Sequence, residues 1–195
     1  MSPDRGRFEI GLRTVPKLKM KNIYLVGFMG TGKSAVGSAL AKKKKWQFLD
    51  LDGLIELREK RPITDIFAEE GEAYFRRLEK KTLKEVAKER KFVVACGGGI
   101  VIDEGNIRIM KDTGTIICLK ASPGKILERI SGTLHRPLLN VPNPKERIEL
   151  LLKLRSPYYA KAHKSIDTSR LSVKEVVAKI LKVASGRNKK QYLKI

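Results

Sequence analysis

The sequence is poor in the features that mark membrane, secreted and metal-binding proteins. No window approaches about eighteen consecutive apolar residues, and the N-terminus lacks the apolar stretch of a secretory signal, so we expect a soluble, cytoplasmic protein without a membrane partner. The two cysteines, Cys96 and Cys118, form no C-x-x-C pair and lie in or beside apolar runs. This spacing indicates buried, reduced thiols and argues against a zinc site or a redox pair.

Acidic and aromatic residues are also scarce. The chain has 21 Asp and Glu against 42 Lys and Arg, a formal net charge of +21, which could serve nucleic acid binding. However, residues 1–19 carry five basic and two acidic side chains and residues 186–195 carry four basic and none acidic, so +7 lies in these ends. Only 6% of residues are aromatic, too few for the stacking surface of a nucleic-acid-binding module. We therefore expect a preference for small anionic substrates, with nucleic acid binding as the less favoured alternative.

Short apolar runs alternate with amphipathic stretches from Asn22 onward. Such alternation predicts βαβ units, and therefore a parallel sheet covered by helices in a three-layer α/β/α domain. A chain of 195 residues, 42% of them hydrophobic, is long enough for one such core. We predict strands at 23–26, 47–49, 92–95, 115–119 and 165–167, and helices at 33–45, 52–59, 63–68, 72–90, 104–111, 123–131, 144–162 and 172–184.

The two ends and one internal segment fall outside this alternation. Residues 1–19 show no period and contain two prolines, which predicts a poorly ordered basic extension, with Met20 as an alternative start. One domain is then expected over residues 20–185, followed by a basic tail at 186–195. Segment 132–144 contains one glycine and three prolines, which exclude a regular helix, so we predict a mobile lid there.

The first predicted strand is followed by G-F-M-G-T-G-K-S, Gly27 to Ser34, which fits the G-x-x-x-x-G-K-[ST] pattern and runs into a predicted helix. Glycines let backbone N–H groups wrap a phosphate chain, and the helix presents its positive N-terminus to the same anion. Lys33 can reach the β- and γ-phosphates, while Ser34 can ligate Mg²⁺. A glycine-rich turn with a solvated lysine is the alternative. We predict nucleotide binding by Gly30, Thr31, Gly32, Lys33, Ser34 and Ala35.

Two carboxylates follow in L-D-L-D, at the end of the second predicted strand. Asp50 and Asp52 are one strand period apart, so both should point to the same side at the carboxyl edge of the sheet, where α/β proteins bind ligands. One could hold Mg²⁺ through water and the other could orient or deprotonate an attacking hydroxyl. Alternatively, Asp52 only caps the next helix.

Four further motifs stand at predicted strand or helix ends. In F-R-R-L-E, Arg76 lies one helical turn from Glu79, so it can bind a substrate carboxylate or pair with Glu79. The third strand runs into C-G-G-G, where Gly97–Gly99 either admit a ligand close to the backbone or form a flexible turn. The lid segment contains H-R-P-L-L, whose Arg136 could stabilise charge during phosphoryl transfer. A later helix contains R-S-P-Y-Y, which begins at Arg155.

Together these motifs resemble those of shikimate kinases in order and spacing, over residues 22–184. The resemblance implies a P-loop NTPase fold related to nucleoside monophosphate kinases, with a five-stranded parallel sheet of order 2-3-1-4-5. It implies that ATP phosphorylates the 3-hydroxyl of shikimate, giving ADP and shikimate 3-phosphate on the way to chorismate and the aromatic amino acids. ATP and Mg²⁺ are the expected cofactors, shikimate the expected partner, and a monomer the expected state.

The same resemblance implies a role for each matching position. Lys33, Asp52 and Arg136 would be catalytic, and Ser34 and Asp50 would hold Mg²⁺. The nucleotide would also contact Arg129, Arg136 and Arg170, and shikimate would contact Asp52, Arg76, Gly97, Gly98, Gly99 and Arg155. No Walker B aspartate ends the third strand, and Asp50 on the second can replace it. The alternatives, a gluconate kinase or a nucleoside monophosphate kinase, would lack the acceptor motifs D-L-D, F-R-R-L-E and C-G-G-G.

Overall fold

The computed structural model describes residues 21–131 and 142–184. Most of the predicted lid, with Arg136, lies outside this part of the chain, as do the predicted N-terminal extension and C-terminal tail. The described residues form strands β1 (Asn22–Val26), β2 (Gln47–Asp50), β3 (Phe92–Ala95), β4 (Gly114–Lys120) and β5 (Lys164–Asp167), helices α1 (Lys33–Lys44), α2 (Leu51–Glu59), α3 (Ile63–Val86), α4 (Glu104–Thr113), α5 (Pro123–Ile130), α6 (Pro144–Tyr159) and α7 (Val173–Ala184), and a short 3₁₀ turn (Ile100–Ile102).

The five strands form one parallel sheet in the order β2-β3-β1-β4-β5, as the resemblance implied. Strand β1 lies at the centre, where Leu25 is in register with Ala95 of β3 and Ile117 of β4. Every residue of β1 is buried, because helices cover both faces of the sheet. The carboxyl ends of all five strands therefore meet at one edge, which holds the candidate site.

The alternation of side chains along β1 sorts the core into two layers. Ile23 and Leu25 pack with residues of α1 and α7 on one face of the sheet, whereas Tyr24 and Val26 pack with residues of α3 and α4 on the other. Burial of each such aliphatic side chain stabilises the fold by roughly 1.5–3 kcal/mol. The predicted three-layer α/β/α arrangement is confirmed.

Two predicted boundaries differ from the structure near α3. The predicted helices 63–68 and 72–90 form one helix with a kink at Gly71, whose φ of 78° and ψ of 172° are not helical. The helix ends at Val86 and not at residue 90, because the amides of Lys88 and Glu89 bond back only three residues, to Glu85 O and Val86 O. Such tightening satisfies the last carbonyl groups of a helix and turns the chain. It leads directly into β3.

Candidate active site

The phosphate-binding loop between β1 and α1 depends on glycine for its backbone shape. Gly27, Gly30 and Gly32 have φ of 137°, 73° and 90°, a region that side chains with a Cβ rarely adopt. A Cβ on Gly27 would also lie 2.2 Å from the Leu119 carbonyl oxygen. The loop therefore brings the chain to the N-terminus of α1 in a conformation that suits phosphate binding.

Side chains of the loop are held within it. Lys33 Nζ donates to the carbonyl oxygens of Gly27 at 2.9 Å and Phe28 at 3.1 Å, so its charge lies across the mouth of the loop. The buried Thr31 donates its hydroxyl to Phe28 O at 2.7 Å, and Thr31 O accepts from Thr168 Oγ1 at 3.1 Å. The hydrogen bonds of Thr31 thus stabilise the loop, and the ammonium group of Lys33 is positioned to contact a phosphate.

Ser34 and Asp50 are in direct contact, although sixteen residues separate them. Ser34 Oγ, in the first turn of α1, donates to Asp50 Oδ2 at the end of β2 over 2.7 Å. A hydroxyl and a carboxylate are the oxygen ligands that Mg²⁺ prefers, and Mg²⁺ often takes only one or two of them from the protein beside substrate phosphates. The pair fits that ion. Within residues 21–131 and 142–184, no group of three or more His, Cys, Asp or Glu could hold a metal.

The prediction that one strand period separates Asp50 from Asp52 is wrong, whereas the predicted helix at 52–59 begins one residue earlier than expected. Strand β2 ends at Asp50 and α2 begins at Leu51, so Asp52 lies in the first turn of the helix. It is not the capping residue either, since Asp50 holds that position and makes no side-chain capping bond. The Oδ1 atom of Asp52 is buried without a hydrogen-bond partner. Burial and Asp50 raise the pKa of this carboxyl, while Lys33 and Arg76 act to lower it.

Arg76 of α3 forms the ion pair that its spacing allowed. Its Nη1 donates to Glu79 Oε2 at 2.8 Å, and its Nε and Nη2 donate to Glu72 Oε1 at 3.2 and 3.0 Å. Glu79 is fully buried, and this burial, opposed by Arg76, raises the pKa of its carboxyl to about 7. The sequence did not identify Glu79 as a site residue, although its three-residue spacing from Arg76 was the available signal.

The glycine run after β3 allows charged groups to converge. A Cβ on Gly97 would lie 2.7 Å from Asp52 Oδ1 and 2.8 Å from Glu79 Oε1, and one on Gly99 would lie 2.3 Å from Arg76 Nη2. These distances leave no space for a side chain. The φ of Gly99 is −98°, so the requirement for glycine here comes from space and not from backbone freedom. The run is thus a closely packed wall of the site.

Helix α6 supplies the second arginine. A Cβ on Gly98 would be 3.5 Å from Arg155 Nη1, and the Arg155 guanidinium lies 5.7 Å from the centre of the Phe28 ring. Tyr159, one turn further along α6, donates its hydroxyl to Gly98 O at 2.7 Å. Burial raises the pKa of Tyr159 to about 12, so it stays a donor. Sequence reasoning missed Tyr159, because only the packing of α6 brings it to the site, and it assigned no role to Phe28, although that residue lies within the phosphate loop.

The predicted adenine-side arginines differ in their surroundings. Arg129 donates to Gly30 O at 3.1 Å, Thr168 Oγ1 at 3.0 Å and Thr168 O at 2.8 Å. It therefore ties the phosphate loop to the connection between β5 and α7. Arg170 lies exposed in that same connection, two residues beyond Thr168. Arg129 therefore contacts the phosphate loop directly, whereas Arg136 is not among the described residues.

A cavity of about 180 Å³ lies between the phosphate loop, the end of β4 and α6. It is smaller than the roughly 300–1,000 Å³ of typical small-molecule sites, and it includes Tyr159 and Phe28 beside Arg155. The residues lining it are Phe28, Thr31, Leu119, Lys120, Ala121, Leu152, Ser156 and Tyr159.

In the described part of the chain, no helix is both long and apolar enough to cross a membrane.

Comparison with known proteins agrees with this geometry. The family model for shikimate kinase matches residues 29–185. The shikimate kinase of Thermodesulfovibrio yellowstonii is 46% identical over 163 residues, which cover 84% of this chain and 94% of that protein. The structure of shikimate kinase from Acinetobacter baumannii in complex with shikimate has a TM-score of 0.83 and 37% identity, covering 88% of this chain and 96% of that one.

A more distant structure shares the architecture. A gluconokinase from Sinorhizobium meliloti has a TM-score of 0.56 but only 18% identity, over 85% of this chain and 91% of that one. At that identity the likeness shows the fold alone, and it does not favour gluconate as the acceptor. The family match, the close relatives and the site geometry together show that this chain belongs to the shikimate kinase family.

Proposed function

We propose that this chain transfers the γ-phosphoryl group of ATP to the 3-hydroxyl of shikimate with the residues gathered at the carboxyl edge of its sheet. The observation that carries the proposal is the convergence of Asp52, Arg76 and Arg155 on the glycine run Gly97–Gly99, beside the phosphate loop. The two guanidinium groups can bind a substrate carboxylate through charge-assisted hydrogen bonds, and the carboxylate of Asp52 can accept a hydrogen bond from a substrate hydroxyl. Shikimate carries a carboxylate and hydroxyls on one ring.

On the donor side, the loop and Lys33 would bind the phosphate chain. The loop amides and the N-terminus of α1 favour the anion, and Lys33 Nζ already lies at the loop mouth. Ser34 and Asp50 would hold Mg²⁺, which neutralises charge on the phosphates when bound. Arg129 and Arg170 would flank the adenine, and Arg136 would cover the γ-phosphate.

On the acceptor side, Arg76 and Arg155 would bind the substrate carboxylate from two different helices. Glu79 holds Arg76 in place through a 2.8 Å ion pair, and Tyr159 holds the backbone of Gly98. Asp52 would then accept the hydrogen of the attacking hydroxyl, which requires its ionised form. Burial raises the pKa of Asp52 and so opposes ionisation, and the cations Lys33 and Arg76 act against that shift. Phosphoryl transfer then depends mainly on positioning and on stabilisation of charge.

A coupled ADP-release assay with Mg²⁺ and ATP tests the proposal by comparing shikimate with gluconate, AMP and no acceptor. Turnover only with shikimate supports the acceptor site. Turnover with gluconate or AMP in its place would leave the phosphate loop assignment intact but contradict the roles of Asp52, Arg76 and Arg155. ADP release without any acceptor would point to ATP hydrolysis.

The monomeric state and the cytoplasmic location stay predictions. Sedimentation of the purified chain tests the monomeric state.

A further inference from the structure

The amino-terminal edge of the sheet, opposite the active site, carries a row of cations, all exposed except the partly buried Lys44. They stand where the chain enters β1, β2, β3 and β4, and we call them the basic edge. Its nine members are Lys21, Lys42, Lys43, Lys44, Lys45, Lys88, Arg90, Lys91 and Lys111. The same connections contain two acidic residues, Glu89 and Asp112. This edge is therefore strongly positive over a surface that takes no part in phosphoryl transfer.

Hydrogen bonds show that these connections lie side by side. Gln47 N–H donates to Lys91 O at 3.1 Å, which joins the entries to β2 and β3. Asn22, which follows Lys21, accepts from Phe92 N–H at 3.1 Å. Lys21 Nζ donates to Asp112 O at 2.9 Å at the entry to β4. Since neighbouring strands are about 4.8 Å apart, the row crosses four strands over roughly 15 Å, before its side chains extend it.

Ion pairing does not account for these charges. Across residues 21–131 and 142–184, carboxylates pair with arginines and lysines elsewhere, such as Arg58, Arg61, Arg76 and Lys80. No member of the basic edge is in ion-pair contact with a carboxylate of that part of the chain. All nine members belong to loops or to the last turns of α1 and α4, and eight of them are exposed. Their charges are thus available to an external anion.

Helix dipoles account for only some of these residues. Lys42, Lys43 and Lys44 occupy the last turn of α1, where a cation is favourable. Lys21 Nζ donates to Asp112 O in the last turn of α4, so a helix end also accounts for Lys21. Lys91 immediately precedes β3 and lies beyond the end of α3, so no helix end accounts for its charge.

The backbone conformation makes two of the lysines suitable for a test. Lys45 and Lys91 have φ of 54° and 63°, in the left-handed region where glycine and asparagine are favoured. Lys60, outside the basic edge, shares this conformation, so the conformation does not explain the charge, but it suits a substitution by asparagine. Lys45 and Lys91 stand at the entries to the adjacent strands β2 and β3.

We propose that the basic edge binds the phosphodiester backbone of nucleic acid without sequence preference. A linear row of point charges with few carboxylates matches a chain of phosphates. The neighbouring ring, Trp46, is half-buried and covered by Lys44 Nζ at 4.1 Å, so it offers no stacking platform for bases. The scarcity of aromatic residues argued against nucleic acid binding from composition, but backbone binding does not require them.

The test compares variants of the full chain by fluorescence anisotropy with a labelled oligouridylate, between about 50 and 200 mM salt. Lys45→Asn/Lys91→Asn removes two charges while suiting the left-handed backbone. We expect its Kd at the lowest salt to rise about tenfold or more. The slope of log K against log salt should fall by about 1.4, because each phosphate contact on a single strand contributes about 0.7. Turnover with ATP and shikimate should not change.

The matched control is Lys60→Asn/Lys174→Gln. Lys60 has φ of 55° at the end of α2, and Lys174 lies in the first turn of α7, so two charges are lost outside the basic edge. The basic residues of 1–19 and 186–195 are common to all variants. A control that keeps wild-type affinity supports the proposal. If both double variants lose the same amount of affinity for oligouridylate, the attraction depends on the overall charge and not on the basic edge, and the proposal fails.

Two further arms exclude other binding modes. If saturating Mg²⁺ and ATP abolish oligouridylate binding, the RNA occupies the phosphate loop and the proposal fails. If vesicles containing phosphatidylglycerol respond to Lys45→Asn/Lys91→Asn while oligouridylate does not bind, the partner is a lipid surface and the proposal also fails. Binding of oligouridylate that survives ATP and is lost in the edge variant establishes it.

Discussion

The donor and acceptor halves of the active site are built in different ways. The donor half is a contiguous loop, Gly27 to Ser34, whose shape follows from glycines at positive φ. The acceptor half draws Asp52 from α2, Arg76 from α3, Gly97–Gly99 from the end of β3 and Arg155 from α6. Local backbone chemistry therefore specifies the first half, whereas packing of separate elements specifies the second. Substitutions in the two halves should accordingly affect different kinetic constants.

Lys33→Ala should have the largest effect, a fall in kcat of about 10²–10³. Lys33 Nζ lies at the mouth of the loop, and loss of one preorganised charge at a developing anion costs about that much. The KM for shikimate should change little, because Lys33 does not belong to the arginine pair. Steady-state kinetics over both substrates measure this, and the same outcome is expected for Arg136→Ala. A normal kcat would show that the donor half is misassigned.

Arg155→Ala should mainly raise the KM for shikimate, by about 10–100-fold, since a charge-assisted hydrogen bond contributes roughly 1.5–3 kcal/mol. Arg76→Ala should do the same and also destabilise the fold, because Glu79 would lose its 2.8 Å partner inside the core. Chemical denaturation separates the two variants. Equal stability of both, or an unchanged KM in either, would contradict this division.

The pH dependence of stability should reveal Glu79. Its pKa is raised to about 7 from an ordinary value near 4.5, so the folded state binds its proton more tightly than the unfolded state does. Between about pH 4.5 and pH 7 the Glu79 carboxyl is ionised in the unfolded state but stays protonated in the folded state. The free energy of unfolding should therefore decrease by roughly 3 kcal/mol as pH rises across this range. Glu79→Gln should remove that contribution. An unchanged pH profile in the variant would refute the assignment.

Gly97→Ala should destabilise the protein by about 1–3 kcal/mol and raise the KM for shikimate, because its Cβ would press on Asp52 and Glu79. The matched control is Gly124→Ala in α5, where a Cβ meets nothing within 4 Å. In a helix that change should stabilise by up to about 1 kcal/mol. Thermal unfolding of both variants makes the comparison. Similar shifts in the two would mean that the glycine wall is not tightly packed.

Tyr159→Phe should have the smallest effect, a rise in KM for shikimate of about fivefold. The change removes one hydrogen bond to Gly98 O, which is worth about 1 kcal/mol. The kcat should stay close to wild type, because Tyr159 positions the glycine run and does not touch the phosphates. A selective loss of kcat would instead place Tyr159 nearer the chemistry.

Several features of the fold and site followed from local patterns. The strand positions and the phosphate loop were predicted because apolar periodicity and glycine spacing act over a few residues. The strand spacing assumed for Asp50 and Asp52 was wrong, because the chain turns into α2 at Leu51, between the two aspartates. Tyr159 was missed because its role depends on a distant contact, the bond to Gly98, sixty-one residues apart. The pairing of Glu79 with Arg76 was one of the predicted alternatives, but the complete burial of Glu79 depends on packing.

The sequence by itself determined the α/β class, the position of the phosphate loop and, through its motifs, the family. These depend on periodicity and on glycine at particular backbone conformations, which are local properties. Only the tertiary structure decided which charges are neutralised and which stay exposed. Arg76 is paired with a buried carboxylate at one edge of the sheet, whereas Lys45 and Lys91 are exposed at the other. The physical reason is that Coulomb interactions and desolvation depend on distances that only packing sets.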